Sequence, residues 1–389
     1  MPELIDHLNA ASRWLGETAL VGAEDEPAIA DIRKYPFNRY QGSLKDEYFR
    51  GDWRFFGTSW HTGQAVKAWV MAAPHLDHDA LAYARTAGDW LLANQVREGD
   101  DRGLLYGYED FVEYTNTSAQ LEALDGLFHL AEAAGEERYR EAAMANLDWV
   151  ARKAWLPEQG LFRDLYDPAK GEFFVRKDRP WGIGRPLLDD AVFLTGYRLS
   201  GEDRFLDIAV RVADKLLERE HPEGNWLDYQ PCVRERGSLH PRQGYWWGRP
   251  MLALYRETGE ARYLYQFQRC LEWYRKALRV DGGIMRDTRL DFRTDSLNLA
   301  TSASACAGLV FLDALEINGD AFARLWAERI LRFCQSMQIL EAEDPNLRGA
   351  VVEKIRAPGG SDRPPYFVRN IASSFFLQLG ARWLALDGA

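Results

Sequence analysis

The chain lacks most of the features that assign a function quickly. It has no apolar stretch of about 18 residues, the length that spans a bilayer,. Its first residues, MPELIDHLNAASRWLG, are amphipathic and acidic, with neither the basic start nor the apolar core of a secretory signal, so the expected location is the cytoplasm,. Four cysteines occur in 389 residues, Cys232, Cys270, Cys306 and Cys334, far apart and without a CxxC pair. They read as buried reduced thiols. There is no HExxH, no GxGxxG opening a βαβ unit and no Walker sequence, so no motif for zinc or a nucleotide, and no cofactor is expected,. Positive charge is also short: 48 Lys and Arg against 59 Asp and Glu give a net charge of −11. That balance argues against nucleic acid and anionic membrane as partners. It leaves a small anionic ligand open, because a few local arginines decide that. An assembly of identical chains is compatible with the sequence and not specified by it.

What is present is a core and a repeat. The chain is 47% hydrophobic and 13% aromatic, enough for a large interior and too much for global disorder,. Four segments read alike: EAAGEERYREAAMANLDWVARK, RLSGEDRFLDIAVRVADKLLER, RETGEARYLYQFQRCLEWYRKA and EINGDAFARLWAERILRFCQ. In each, a glycine (Gly135, Gly201, Gly259 or Gly319) can end one helix in the left-handed conformation, and an acidic residue opens the next,. The glycines are 66, 58 and 60 residues apart. Before each turn lies a helix apolar on most of its circumference, and after it a one-sided amphipathic helix. This predicts two concentric rings. Inner helices are expected from near Trp60, Tyr114, Arg185, Gln243, Asp295 and Tyr366, and outer ones from near Glu3, Asp79, Glu136, Glu202, Glu260 and Asp320. The expected fold is all-α, an (α/α)6 toroid of six helical hairpins forming a single domain over residues 1–389, with β-ribbons confined to the long loops.

The connections are asymmetric. Inner-to-outer turns are a few residues long, whereas outer-to-inner connections are long and rich in Gly, Pro, Trp, Tyr and Arg. Long loops in a compact domain are usually functional. All of them feed the N-terminal ends of the inner helices, so the pocket is expected at that mouth, with six helix N-termini offering free N–H groups.

Polar residues in the first turns of buried helices need partners, since unpaired burial is costly. Those first turns bring Trp60, His61, Thr62 and Gln64, then Tyr114, Asn116 and Thr117, then Arg185 with Asp189-Asp190. Next come Tyr245, Trp246, Trp247 and Arg249, then Asp295 and Asn298, and finally Arg369 and Asn370. Thr62, Thr117 and Asp295 serve equally well as helix N-caps. His61 and His240 approach the mouth, but two histidines without nearby acidic ligands do not make a metal site. Asp189-Asp190 is the most informative pair. Adjacent residues on a helix diverge by about 100°, so one carboxylate enters the cavity and the other caps or pairs with arginine. A carboxyl group against Trp and Tyr should have a raised pKa, as a general acid requires. Trp53, Trp60, Trp181, Trp226, Trp246 and Trp247 lie in or next to the long loops and offer flat faces for sugar rings, whereas Trp90, Trp149 and Trp273 on outer helices read as core.

On these residues the chain resembles a known group. RPLLDDAVFLTGYRLSGEDRFLDIAVRVADKLLE is similar to the helix carrying the catalytic Asp of unsaturated glucuronyl and rhamnogalacturonyl hydrolases, and GYWWGRPMLALYRETGE to their W-x-R-G-x-x-W segment. Six-hairpin toroids also include glycosidases, polysaccharide lyases and sugar epimerases. The resemblance implies a hydrolase of a uronate-containing saccharide. Asp189 or Asp190 would be its acid/base, and Arg249, His61, Gln64 or Arg369 would hold the carboxylate in charge-assisted contacts. An ordinary inverting glycosidase needs a second carboxylate roughly 6.5–9.5 Å away, and Asp295 is the candidate. The rival is an epimerase resembling the N-acylglucosamine 2-epimerases, with His61 and His240 as acid and base. A lyase using Tyr and His is a third reading and a binding toroid a fourth.

Overall fold

A computed structural model of the chain describes residues 2–25, 35–108, 113–175, 184–294, 298–355 and 366–387. Its α-helices are α1 (Pro2–Arg13), α2 (Thr58–Ala72), α3 (Ala80–Ala93), α4 (Thr117–Ala134), α5 (Glu137–Trp149), α6 (Val192–Ser200), α7 (Asp203–Glu218), α8 (Arg249–Thr258), α9 (Ala261–Ala277), α10 (Thr301–Asn318), α11 (Ala321–Ser336) and α12 (Asn370–Asp387). Even-numbered helices form the inner ring of an (α/α)6 barrel, and odd-numbered ones the outer ring. Burial follows the sequence pattern. Every residue of α10 from Thr301 to Ala314 is buried, whereas α7 buries only Phe205, Ile208, Ala209, Val212, Ala213 and Leu216, a single stripe at helical spacing,. The ring closes where α12 packs on α1 and α2. Among the described residues, no helix is long and apolar enough to cross a membrane.

The short turns form as expected. Gly135, Gly201, Gly259 and Gly319 all take left-handed φ of 65–74° after their helices, and an added Cβ would meet nothing there. Conformation, not space, therefore requires glycine at these turns. The outer helices begin within a residue of the predicted positions. Three inner helices begin later: the third at a 3-10 turn, Asp189–Ala191, the fifth at Thr301 and the sixth at Asn370. The reason in the sixth case is a strand. Tyr366–Arg369 pairs with Glu47–Phe49 in a four-stranded antiparallel sheet with Val352–Ile355 and Asp52–Arg54, tying the last long loop to the first.

A second six-fold feature stands at the long-loop end. Gly42, Gly103, Gly160, Gly224, Gly282 and Gly349 all have positive φ, and each lies against the backbone of an outer helix. At Gly103 a Cβ would come 2.1 Å from Ala145 O, and at Gly224 it would come 2.2 Å from Arg269 O. Buried outer-helix tryptophans flank four of these contacts: Trp14, Trp90, Trp149 and Trp273. The long loops are thus clamped at their bases, and the mouth they build rests on fixed supports.

Candidate active site at the barrel mouth

A cavity of about 210 Å³ opens at the N-terminal ends of the inner helices. Trp60 of α2 and Trp246 supply aromatic faces, and His240 lies on Trp246, ring centroids 4.8 Å apart and planes 15° apart. Arg242 lies over both tryptophans, 5.3 Å from the Trp60 ring and 4.9 Å from the Trp246 ring. Arg185, Arg286, Lys354 and Arg369 add positive charge, against two wall carboxylates, Glu122 and Glu353. Arg369 is paired with Glu47 at 2.8 Å and Arg185 with Asp164 at 3.2 Å. Glu353 accepts from Ser302 N and Oγ. Arg242 has no carboxylate within ion-pair distance among the described residues, and Arg286 has only Asp287, 3.9 Å away. The wall is therefore cationic inside an acidic protein.

Three of the six inner-helix N-termini, those of α2, α4 and α10, are already occupied, which corrects the expectation from sequence. Asp46 Oδ2 accepts from Phe56 N, Gly57 N and Thr58 Oγ1 at the start of α2. Asp164 caps α4 through Ser118, and Glu353 caps α10 through Ser302. Carboxylates from neighbouring loops occupy the sites that helix dipoles offer to anions. The arginines, not the helix ends, carry the positive potential.

Below the cavity a polar plug crosses the barrel axis. Asp190 and Ala191 both adopt left-handed conformations (φ 50° and 56°), uncommon for residues with a Cβ and a form of stored strain,. That turn places Asp190 where Lys67 Nζ (2.8 Å), Tyr245 OH (2.8 Å) and Gln64 Nε2 (2.9 Å) all donate to it. Lys67 also meets Asp125 at 2.6 Å, and Gln378 Nε2 donates to Gln64. Burial pushes the Asp189 carboxyl up to about 7, with Arg185 opposing and the Asp190 charge adding to the rise. Its Oδ2 is buried without a hydrogen-bond partner. On the far side of the plug a second cavity, of about 390 Å³, opens at the short-turn end.

The residues singled out from sequence separate into four groups. Trp60, Arg185, His240, Trp246 and Arg369 line the mouth. Gln64, Asp190 and Tyr245 belong to the plug and not to the mouth wall. His61, Asn116, Trp247 and Asn370 are buried behind the wall, and Tyr114 packs on Phe174 with the ring planes tilted by 49°. His61 follows Trp60 by one helical step and so turns away from the cavity, with Nδ1 2.9 Å from Asp46 Oδ1. Asn298 offers its carbonyl to Arg286 N. Trp226 is core, Trp53 packs on Trp14, and Asp295 and Trp181 lie outside the described residues.

Arg249 is a correction. It lines the far cavity and pairs with Asp313 at 2.5 Å. A wide π turn, Gly244–Gly248, precedes it and shifts the helical phase, placing it deeper in the barrel,. Arg249→Met is therefore expected to cost about 2 kcal/mol of stability by orphaning the Asp313 charge, read as a lower unfolding midpoint in urea. Any KM for a ligand of the mouth should stay unchanged; a raised KM with unaltered stability would contradict this placement.

Sequence reasoning missed Arg242, Arg286, Glu122, Glu353 and Lys354. Glu122 carried a usable signal, one of two carboxylates (with Asp125) in the largely apolar stretch LEALDGLF of an inner helix. Arg286, in an irregular loop, and Lys354, on the strand Val352–Ile355, carried none.

No family model matches the chain, and no curated protein sequence matches it. Solved structures do. A D-mannose isomerase superposes with a TM-score of 0.67 at 12% identity, over 100% of this chain and 98% of that one. The cellobiose 2-epimerase from Spirochaeta thermophila DSM 6192 gives 0.68 at 12% identity, over 100% and 99%. The unsaturated glucuronyl hydrolase from Bacillus sp. GL1 gives 0.66 at 14% identity, over 98% and 97%. What the chain shares with all three, end to end, is the fold, a six-hairpin (α/α)6 barrel.

Proposed function

We propose that the chain is a carbohydrate-active enzyme that binds a uronate-containing saccharide at the barrel mouth and hydrolyses it with carboxyl groups as acid and base. The observation that carries this reading is the mouth wall itself: two tryptophan faces beside Arg242 and Arg286, guanidinium groups that among the described residues have no carboxylate nearer than Asp287, 3.9 Å from Arg286. Flat apolar faces suit pyranose rings, and a guanidinium binds a carboxylate in bidentate fashion. Glu122 is the wall carboxyl that would activate water, and Asp189, whose carboxyl burial pushes up to about 7 and which does not itself line the cavity, would be the proton source,. The unsaturated glucuronyl hydrolase among the structural neighbours agrees with this chemistry.

An isomerase or epimerase is the second reading, because such enzymes are also among the neighbours. Its two-histidine form has little support. Of the seven histidines, only His240 lines the cavity, and Glu122 would have to act as its partner.

The test is turnover of an unsaturated-uronate disaccharide beside its neutral counterpart. The uronate should be preferred at least tenfold in kcat/KM, a difference of about 1.4 kcal/mol. Glu122→Gln should lower kcat by about a hundredfold or more. Equal turnover of both sugars would remove the uronate from the proposal. Solvent deuterium appearing at C2 of a recovered monosaccharide would replace hydrolysis with isomerisation.

A further inference from the structure

His240 is placed as a hydrogen-bond donor. The ring is 1% exposed, and its Nδ1 accepts the backbone N–H of Arg242 at 3.1 Å. A backbone N–H only donates, so in the neutral ring the proton resides on Nε2. Burial, with the positive charges of Arg286, Arg242 and Arg185, pushes the imidazole well below its ordinary pKa. The Nε2–H is thus a donor in the mouth wall, and among the described residues no acceptor meets it. Arg242 Nη1, on the same wall, is buried and likewise has no hydrogen-bond partner among the described residues. Arg286 completes the group; burial and the neighbouring Arg242 and Arg369 charges lower its pKa to about 10, a strain that an anion would relieve. Buried donors without acceptors are rare and call for a ligand or water.

We propose that His240 Nε2, Arg242 Nη1 and the Arg286 guanidinium form an oxyanion subsite, with His240 acting as a neutral donor and neither acid nor base. As the place where a saccharide's anionic group docks, the subsite rests on the function proposed above; as an anion site it stands alone. The other groups around the imidazole fit this role. Cys232 Sγ accepts the His240 backbone N–H at 3.1 Å, and burial pushes its thiol up to about 12. Arg185 and Arg369 are already paired with Asp164 and Glu47. Glu353 is bound by Ser302, while Glu122 and Lys354 complete the wall. Because the ring stays neutral, anion affinity should not follow an imidazole titration.

The test is quenching of tryptophan fluorescence in the full chain, titrated with sulfate and with free glucuronate at constant ionic strength, at about pH 5.5 and about pH 8.5. Saturable binding with Kd equal within about twofold at both values is expected. Arg242→Ala and His240→Ala should each raise Kd about tenfold or more, and His240→Gln, which keeps a side-chain N–H, should recover most of the loss. Nitrogen-15 spectra of the wild-type histidines should show His240 as the neutral Nε2–H tautomer at both pH values, a readout independent of any variant's folding. Binding that tightens at the lower pH, an imidazolium signal, or wild-type affinity in the two alanine variants would overturn the subsite. If anions bind as described but no saccharide is turned over, the hydrolase reading falls and the subsite stands. If uronate is turned over while the variants keep their affinity, the subsite alone falls.

Discussion

Lys67→Met is expected to cost about 3–5 kcal/mol of stability at pH 7, the range seen when one partner of a buried charge cluster is removed. The Lys67 side chain is 5% exposed and meets Asp125 at 2.6 Å and Asp190 at 2.8 Å, themselves 10% and 2% exposed. Without the ammonium, the two carboxylates keep Tyr245, Gln64 and His129 as close neighbours and the more distant Arg249, itself paired with Asp313. The loss should depend on pH in a defined direction. The Lys67 and His129 charges outweigh burial and hold the Asp125 carboxyl below its ordinary pKa, so its contribution is present above the unfolded value of about 3.9 and fades as pH falls through the folded one,. The gap between wild type and variant, read from urea midpoints, should therefore narrow in acid. Lys67→Met combined with Asp190→Asn should recover about 1 kcal/mol or more of the loss, since the second change removes one of the stranded charges. A gap below about 1 kcal/mol at pH 7, or one that widens in acid, would mean that the plug is wetter than its burial implies.

The repeat was legible because it depends on local chemistry. A glycine with φ near 70° followed by an acidic helix start is written in four consecutive residues, and it recurs. Outer helices were placed within a residue for the same reason. Short β-ribbons, which the sequence allowed in the long loops, are present there. What could not be read was rotational phase. Asp189 and Asp190 were expected to diverge, and they do, but the left-handed turn at Asp190 and Ala191 sends Asp190 into the plug, away from the mouth wall. The π turn before Arg249 does the same to that side chain, leaving Arg242, upstream of the turn, on the mouth wall. A period of 3.6 cannot register either departure. The capping of helix N-termini by Asp46, Asp164 and Glu353 was hidden because none of them sits at the N-cap position: Asp46 lies 10–12 residues ahead of the groups it caps, and Asp164 and Glu353 lie 46 and 51 residues beyond Ser118 and Ser302.

Asp189→Asn should make the protein more stable at pH 8 and less active. A carboxyl group raised from about 3.9 in the unfolded chain to about 7 in the fold carries a penalty on the order of 4 kcal/mol once ionised, less whatever its coupling to Asp190 absorbs,. The sign follows from proton binding. The folded state holds this proton more tightly than the unfolded state, so the group costs nothing below about pH 4. Its penalty grows as pH rises from about 4 to about 7 and is constant above that. The wild type should thus lose stability across that window relative to the Asn variant, and the two should coincide near pH 4. Asparagine keeps the shape, removes the charge and cannot donate a proton to a leaving oxygen. The same substitution is therefore expected to lower kcat on a uronate saccharide by about a hundredfold or more, the usual scale for loss of a general acid. A stabilised but inactive variant would identify Asp189 as strain retained for chemistry. Parallel stability–pH curves for the two proteins would show instead that Asp189 is already ionised in the fold near neutrality, and Glu122 would then have to serve as both acid and base.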